Sequence, residues 1–106
     1  MILINVKFSV RPEAVERWPE AVRPFTEATR AEEGNLFFEW SRSLEEENTF
    51  VLVEGFQDDA AEAHVSSQHF ADGLEAMRPL LTSTPQIISH TIPVDGWGRM
   101  GELQVD

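Results

Sequence analysis

Two runs of alternating apolar character, joined by a short polar segment, constrain this chain more than any other feature. Asn35–Arg42 and Thr49–Phe56 carry bulky apolar residues at every second position, and strand side chains point alternately to opposite faces, so the pair predicts a β-hairpin. The segment between them holds Glu45, Glu46 and Glu47, which suits a solvated turn. The second strand puts Phe50, Leu52, Glu54 and Phe56 on one face. A carboxylate set in an apolar row is costly unless paired, and proton chemistry is one reason to keep it, which makes Glu54 a candidate catalytic group. His64 follows on the next helical segment, the stretch that packs back over this strand. A direct bond between Glu54 and His64 is the expected arrangement, and it would orient the imidazole as a base.

The rest of the chain builds a scaffold around that hairpin. Ile2–Val10 alternates as a strand, with Ile4, Val6, Phe8 and Val10 on one face. Pro12 opens a helix in which Val15, Trp18, Val22, Phe25 and Thr29 recur at helical spacing and form a buried stripe. Pro19 and Pro24 each remove a backbone donor, so this helix is expected to kink or break near one of them, with Gly34 closing it. Beyond the hairpin, Asp59 and Glu62 have the spacing of a capping box, and Ser66 and Ser67 offer a second cap. Phe70, Leu74, Met77 and Leu81 then mark a longer helix that stops before Pro85, and Gln86–Ile92 alternates as the last strand. The order gives an α+β class, a ferredoxin-like βαββαβ sandwich over residues 1–93, with a C-terminal tail at 94–106. Leu3, Phe37, Val51, Val53 and Ile87 fall on the face without helices, an apolar patch that predicts a homodimer.

Composition removes several function classes. The 106 residues hold no cysteine, which excludes disulfides, thiolate catalysis and cysteine-ligated metals. A formal charge of −11, with Lys7 the single lysine beside seven arginines, argues against nucleic acid as a partner. No apolar run approaches the ~20 residues of a membrane helix and the start reads as a strand, so no membrane partner and a cytoplasmic location are expected. His69 is expected as a capping or surface residue, and His90, in register with Ile88 and Ile92, as a core residue. No histidine pair has the i, i+4 spacing of a helical metal site, so no metal is expected.

Several of these stretches resemble the antibiotic biosynthesis monooxygenase domain: Glu-Glu-Gly-Asn-Leu-Phe-Phe at Glu32–Phe38, Phe-Val-Leu-Val-Glu-Gly-Phe at Phe50–Phe56, Asp-Asp-Ala-Ala-Glu-Ala-His ending at His64, and the Ser-Xaa-His-Phe that ends at Phe70. The resemblance spans about Ile2 to Pro93. It implies a dimeric α+β barrel of two ferredoxin-like protomers, each with a pocket between its sheet and its own helices. It also implies catalytic roles for His64 and Glu54, and substrate-binding roles for Asn35, Trp40 and Phe38. Family members include monooxygenases of quinols and anthrones that use no cofactor, haem-degrading enzymes, and an isomerase of phosphorylated autoinducer-2. Leu74 stands near where the haem-degrading members need an axial histidine, which argues against haem, while Arg42 and Arg78 keep a phosphosugar isomerase open. The implied function is oxidation of a small electron-rich aromatic with no cofactor. The competing reading is a dimer that binds a small ligand without chemistry.

Overall fold

A computed structural model describes all 106 residues, Met1–Asp106. Four strands, β1 (Ile2–Ser9), β2 (Asn35–Arg42), β3 (Thr49–Phe56) and β4 (Gln86–Thr91), form one antiparallel sheet in the order β2-β3-β1-β4. This is the ferredoxin-like α+β arrangement expected from the order of the elements. Val10 lies just past β1 and makes a single bridge to Leu81. The hairpin turn closes with Asn48 at φ 57°, a left-handed conformation that asparagine tolerates better than most residues.

The first helical stretch is broken. A 3-10 turn at Pro12–Arg17 runs into a four-residue helix, α1 (Trp18–Ala21), and after Val22 the chain resumes as α2 (Arg23–Arg30). Pro19 and Pro24 each stand at the second position of their segment, where a missing N–H costs little, so the breaks fall where the prolines require. Val15, Trp18, Val22, Phe25 and Thr29 are all buried despite the breaks. The first four of them share one core with Val6, Phe8, Phe38, Phe50 and Leu52 of the sheet.

The second helical layer is α3 (Ala61–Val65) and α4 (Gln68–Met77). The expected capping box is absent: Ala60 precedes α3 and no side chain caps it. The second cap is present, with Ser67 Oγ accepting from the Phe70 amide. Gly73 lets α4 lie against α2, because a Cβ there would come 2.8 Å from the Phe25 ring.

Two assignments in β4 are corrected by register. Ile87 pairs with Val6 and therefore faces the helices, whereas Ile88 pairs with Asn5 and shares the open face. Both are exposed, and so is His90, which lies opposite Leu3 on the open face rather than in the core. β4 is an edge strand that the helices do not reach, so its alternation has no buried side to report. The open face carries Leu3, Phe37, Val51 and Val53, all half-buried, and Trp97 of the tail rests 5.6 Å from Phe37. Where β4 passes into the tail the chain is anchored by the Met1 amine, which donates to Ile92 and Val94 carbonyls and pairs with Asp58 at 3.1 Å.

Candidate functional site

Glu54 points from β3 into the layer between sheet and helices, and its side chain is 7% exposed. It arrives there because strand alternation leaves it no other face. Phe38 of β2 and Ile4 of β1 stand opposite it in the sheet. Oε1 of Glu54 is buried with no hydrogen-bond partner. Burial, reinforced by the nearby charge of Glu32, pushes this carboxyl up from 4.5 to about 7. A group with that value exchanges its proton near neutrality, which an ordinary carboxylate does not.

His64 sits above it on α3, in a box of aromatic rings: Phe56 at 4.6 Å, Phe70 at 5.1 Å and Phe25 at 5.8 Å between centroids. Nε2 of His64 faces Glu54 Oε1 at 4.0 Å, a contact of charges and not a hydrogen bond. The bonded partner is Glu32, whose Oε2 lies 2.7 Å from His64 Nδ1. The same oxygen lies 2.6 Å from His69 Nε2. His69 is 28% exposed, so the four side chains run from a sealed carboxyl to the protein surface.

Glu32 comes from the turn that links α2 to β2, a position with no periodicity to reveal it. His69 joins it because the chain does not continue as one helix through Ser66–Ser67; the break returns the second ring to the same side. The direct Glu54–His64 bond of the sequence reading is thus replaced by a looser contact, and the surface or capping role for His69 by a bond to Glu32. The signal available in the sequence was the paired serine cap between two histidines, which removes the 100°-per-residue rule across it.

Of the other predicted site residues, Phe38 flanks Glu54, whereas Asn35 and Trp40 are hydrogen-bonded within the protein away from this cluster. Asn35 directs its amide to the carbonyls of Phe37 and Gly55, at 3.0 and 3.3 Å, where the β2–β3 register shifts. Trp40 donates from Nε1 to Thr26 Oγ1 at 2.8 Å and packs against Phe8 and Trp18. It also borders a cleft of about 320 Å³ with Trp18, Arg23 and Arg30. Phe38 is buried beside Glu54, edge-on to Phe25. A larger cavity, about 500 Å³, opens between α4 and the sheet edge, lined by Phe8, Leu74, Met77 and Arg78. None of the principal cavities is lined by Glu54 or His64.

The fold and the sequence coincide with a known family. Residues 1–76 match the family model described as antibiotic biosynthesis monooxygenase. A Bacillus subtilis (strain 168) protein, "Putative monooxygenase YcnE", is 34% identical over 92 residues, covering 86% of this chain and 96% of that protein. The chain belongs to the antibiotic biosynthesis monooxygenase family. Solved structures share its fold: a "putative antibiotic biosynthesis monooxygenase" from Nitrosomonas europaea superposes with a TM-score of 0.80 at 23% identity, covering 89% of this chain and all (100%) of that one. One from Deinococcus radiodurans gives 0.81 at 20% identity, covering 95% and 100%. No helix is long and apolar enough to cross a membrane.

Proposed function

We propose that this chain is a monooxygenase that acts on a small electron-rich aromatic, such as an anthrone or hydroquinone, with no flavin or metal in the reaction. The observation that carries the reading is the buried Glu54, unpartnered at Oε1, facing the ring nitrogen of His64 in a member of this family. Dioxygen reacts slowly with closed-shell molecules, but a deprotonated substrate can hand it an electron, so the protein must bind, deprotonate and exclude water.

For an anthrone, the Glu54–His64 pair takes one proton from the ring methylene. The carbanion transfers an electron to dioxygen, the two radicals join in a C–O bond, and the protonated pair returns its proton to give a hydroperoxide. Loss of the second C–H proton as the O–O bond breaks leaves the ketone and one water. The substrate supplies every electron. Glu32 holds His64 by its other nitrogen. Asn35, Trp40 and Phe38 serve this reading as the support of the β2 wall; the amide of Asn35 and the indole N–H of Trp40 are already bonded within the protein.

Oxygen uptake by metal-free and flavin-free protein, measured over a panel of anthrones and hydroquinones against the uncatalysed rate, tests this. His64→Ala should lower the catalysed rate by about 10²-fold or more, since general-base catalysis contributes roughly 10² to 10⁴. An undiminished rate in that variant contradicts the assignment. The sealed position of Glu54 and His64 favours one second reading, a protein that binds a small ligand without chemistry. Tight binding of a panel member with no turnover would select it. The half-buried apolar face of Leu3, Phe37, Val51 and Val53 supports a homodimer joined through the sheets, and a monomer in sedimentation at micromolar concentration would reject it.

A further inference from the structure

The geometry points to a divalent transition-metal site at Glu32, His64 and His69, one that holds the protein in a form unable to use His64 as a base. Three facts converge. Glu32 Oε2, a nitrogen of His64 and a nitrogen of His69 lie within 4.8 Å of one another, and the two nitrogens meet the same carboxylate oxygen at 2.7 and 2.6 Å. Two imidazoles and one carboxylate are the donor set of three-ligand zinc sites with a fourth position open, and of related iron sites. With bonds of about 2.0–2.2 Å to a tetrahedral ion the donors stand roughly 3.4 Å apart, so Glu32 Oε2 has to draw back from each nitrogen by less than about 1 Å. His69, part-exposed, supplies the way in.

The third fact is Glu54. A metal on His64 Nδ1 needs the lone pair there, so the ring proton must reside on Nε2. That nitrogen faces Glu54 Oε1 at 4.0 Å, a buried acceptor with no other partner. Histidine ligands almost always donate their second N–H to a carboxylate or carbonyl, which fixes the tautomer and strengthens the ligand. The orphaned oxygen stands where that acceptor belongs. The expectation of no metal considered only i, i+4 histidine pairs; here the third ligand comes from a turn and the two histidines from separate helices. Occupied, the site consumes the Nδ1 lone pair and ties His64 down, so the cation acts as an off-switch for the proton chemistry.

Zn²⁺ titrated into the metal-stripped protein and followed by calorimetry tests this without any substrate, so its failure leaves the proposed oxidation standing and its success does not depend on it. One equivalent should bind. His69→Ala and Glu32→Gln should each weaken binding by about 10-fold or more, whereas His90→Ala, on the opposite face of the sheet, should change nothing. In the unmodified protein, the ring ¹H–¹⁵N signals of His64 and His69 should shift with Zn²⁺ while those of His90 stay. Binding that is weak and multiple, or equally tight in His69→Ala, or that moves the His90 signals instead, would overturn the site in favour of adventitious association with the acidic surface.

Discussion

The layer between sheet and helices is built in opposite ways at its two ends. At the end reached by α1, Trp18 meets Phe8 at 5.4 Å, Trp40 at 5.8 Å and Phe50 at 5.8 Å, ring against ring. At the end reached by α3, the same strands present Glu54, and His64 and Glu32 complete a buried polar chain. Aromatic contacts add to area burial, so the first end holds the fold together. The second end keeps an ionisable group from water and gives it no bonded partner, which lowers stability and creates a reactive proton. Even the aromatic end has one orphan, Trp18 Nε1, but a neutral donor costs far less than a carboxylate.

Trp18→Ala removes the ring common to three aromatic contacts and should cost about 3–5 kcal/mol in denaturant unfolding. A loss below about 1 kcal/mol would mean that this end does not carry the fold.

Glu54 sharpens the contrast through pH. Its folded-state value, about 7, lies above the ordinary 4.5, so the folded protein binds this proton more tightly than the unfolded chain does. The resulting stabilisation is complete below the unfolded value and is lost as pH rises through the window to about 7. The loss is on the order of 3 kcal/mol. Glu54→Gln cannot titrate there, so the stability of the unmodified protein relative to this variant should fall across the window. Parallel pH profiles for the two proteins would show that Glu54 is not held protonated by the fold.

The two ends also differ in how far the sequence reveals them. The hairpin strands and the buried stripe from Val15 to Thr29 follow from periodicity, because a face packed on a core imposes its period on the residues that fill it. Glu54 was legible for the same reason, as a break in a period of two. β4 was legible as a strand but not in its facing: Ile87 and Ile88 are adjacent and equally apolar, and an uncovered edge gives no preference between them. The partner of His64 was not legible. Glu32 lies in an irregular turn, and its contact with two histidines depends on the placement of α3 and α4, which the capping serine fixes in space but not in the sequence pattern.

The pH dependence of catalysed oxygen uptake tests most directly whether the polar end handles a proton. In metal-stripped protein with one active anthrone or hydroquinone, the rate should rise with pH through a midpoint near 7, as Glu54 ionises and the pair becomes able to accept a proton. Glu54→Gln should lower the rate and abolish that midpoint. The same midpoint and the same rate in Glu54→Gln would mean that Glu54 takes no part in moving the proton.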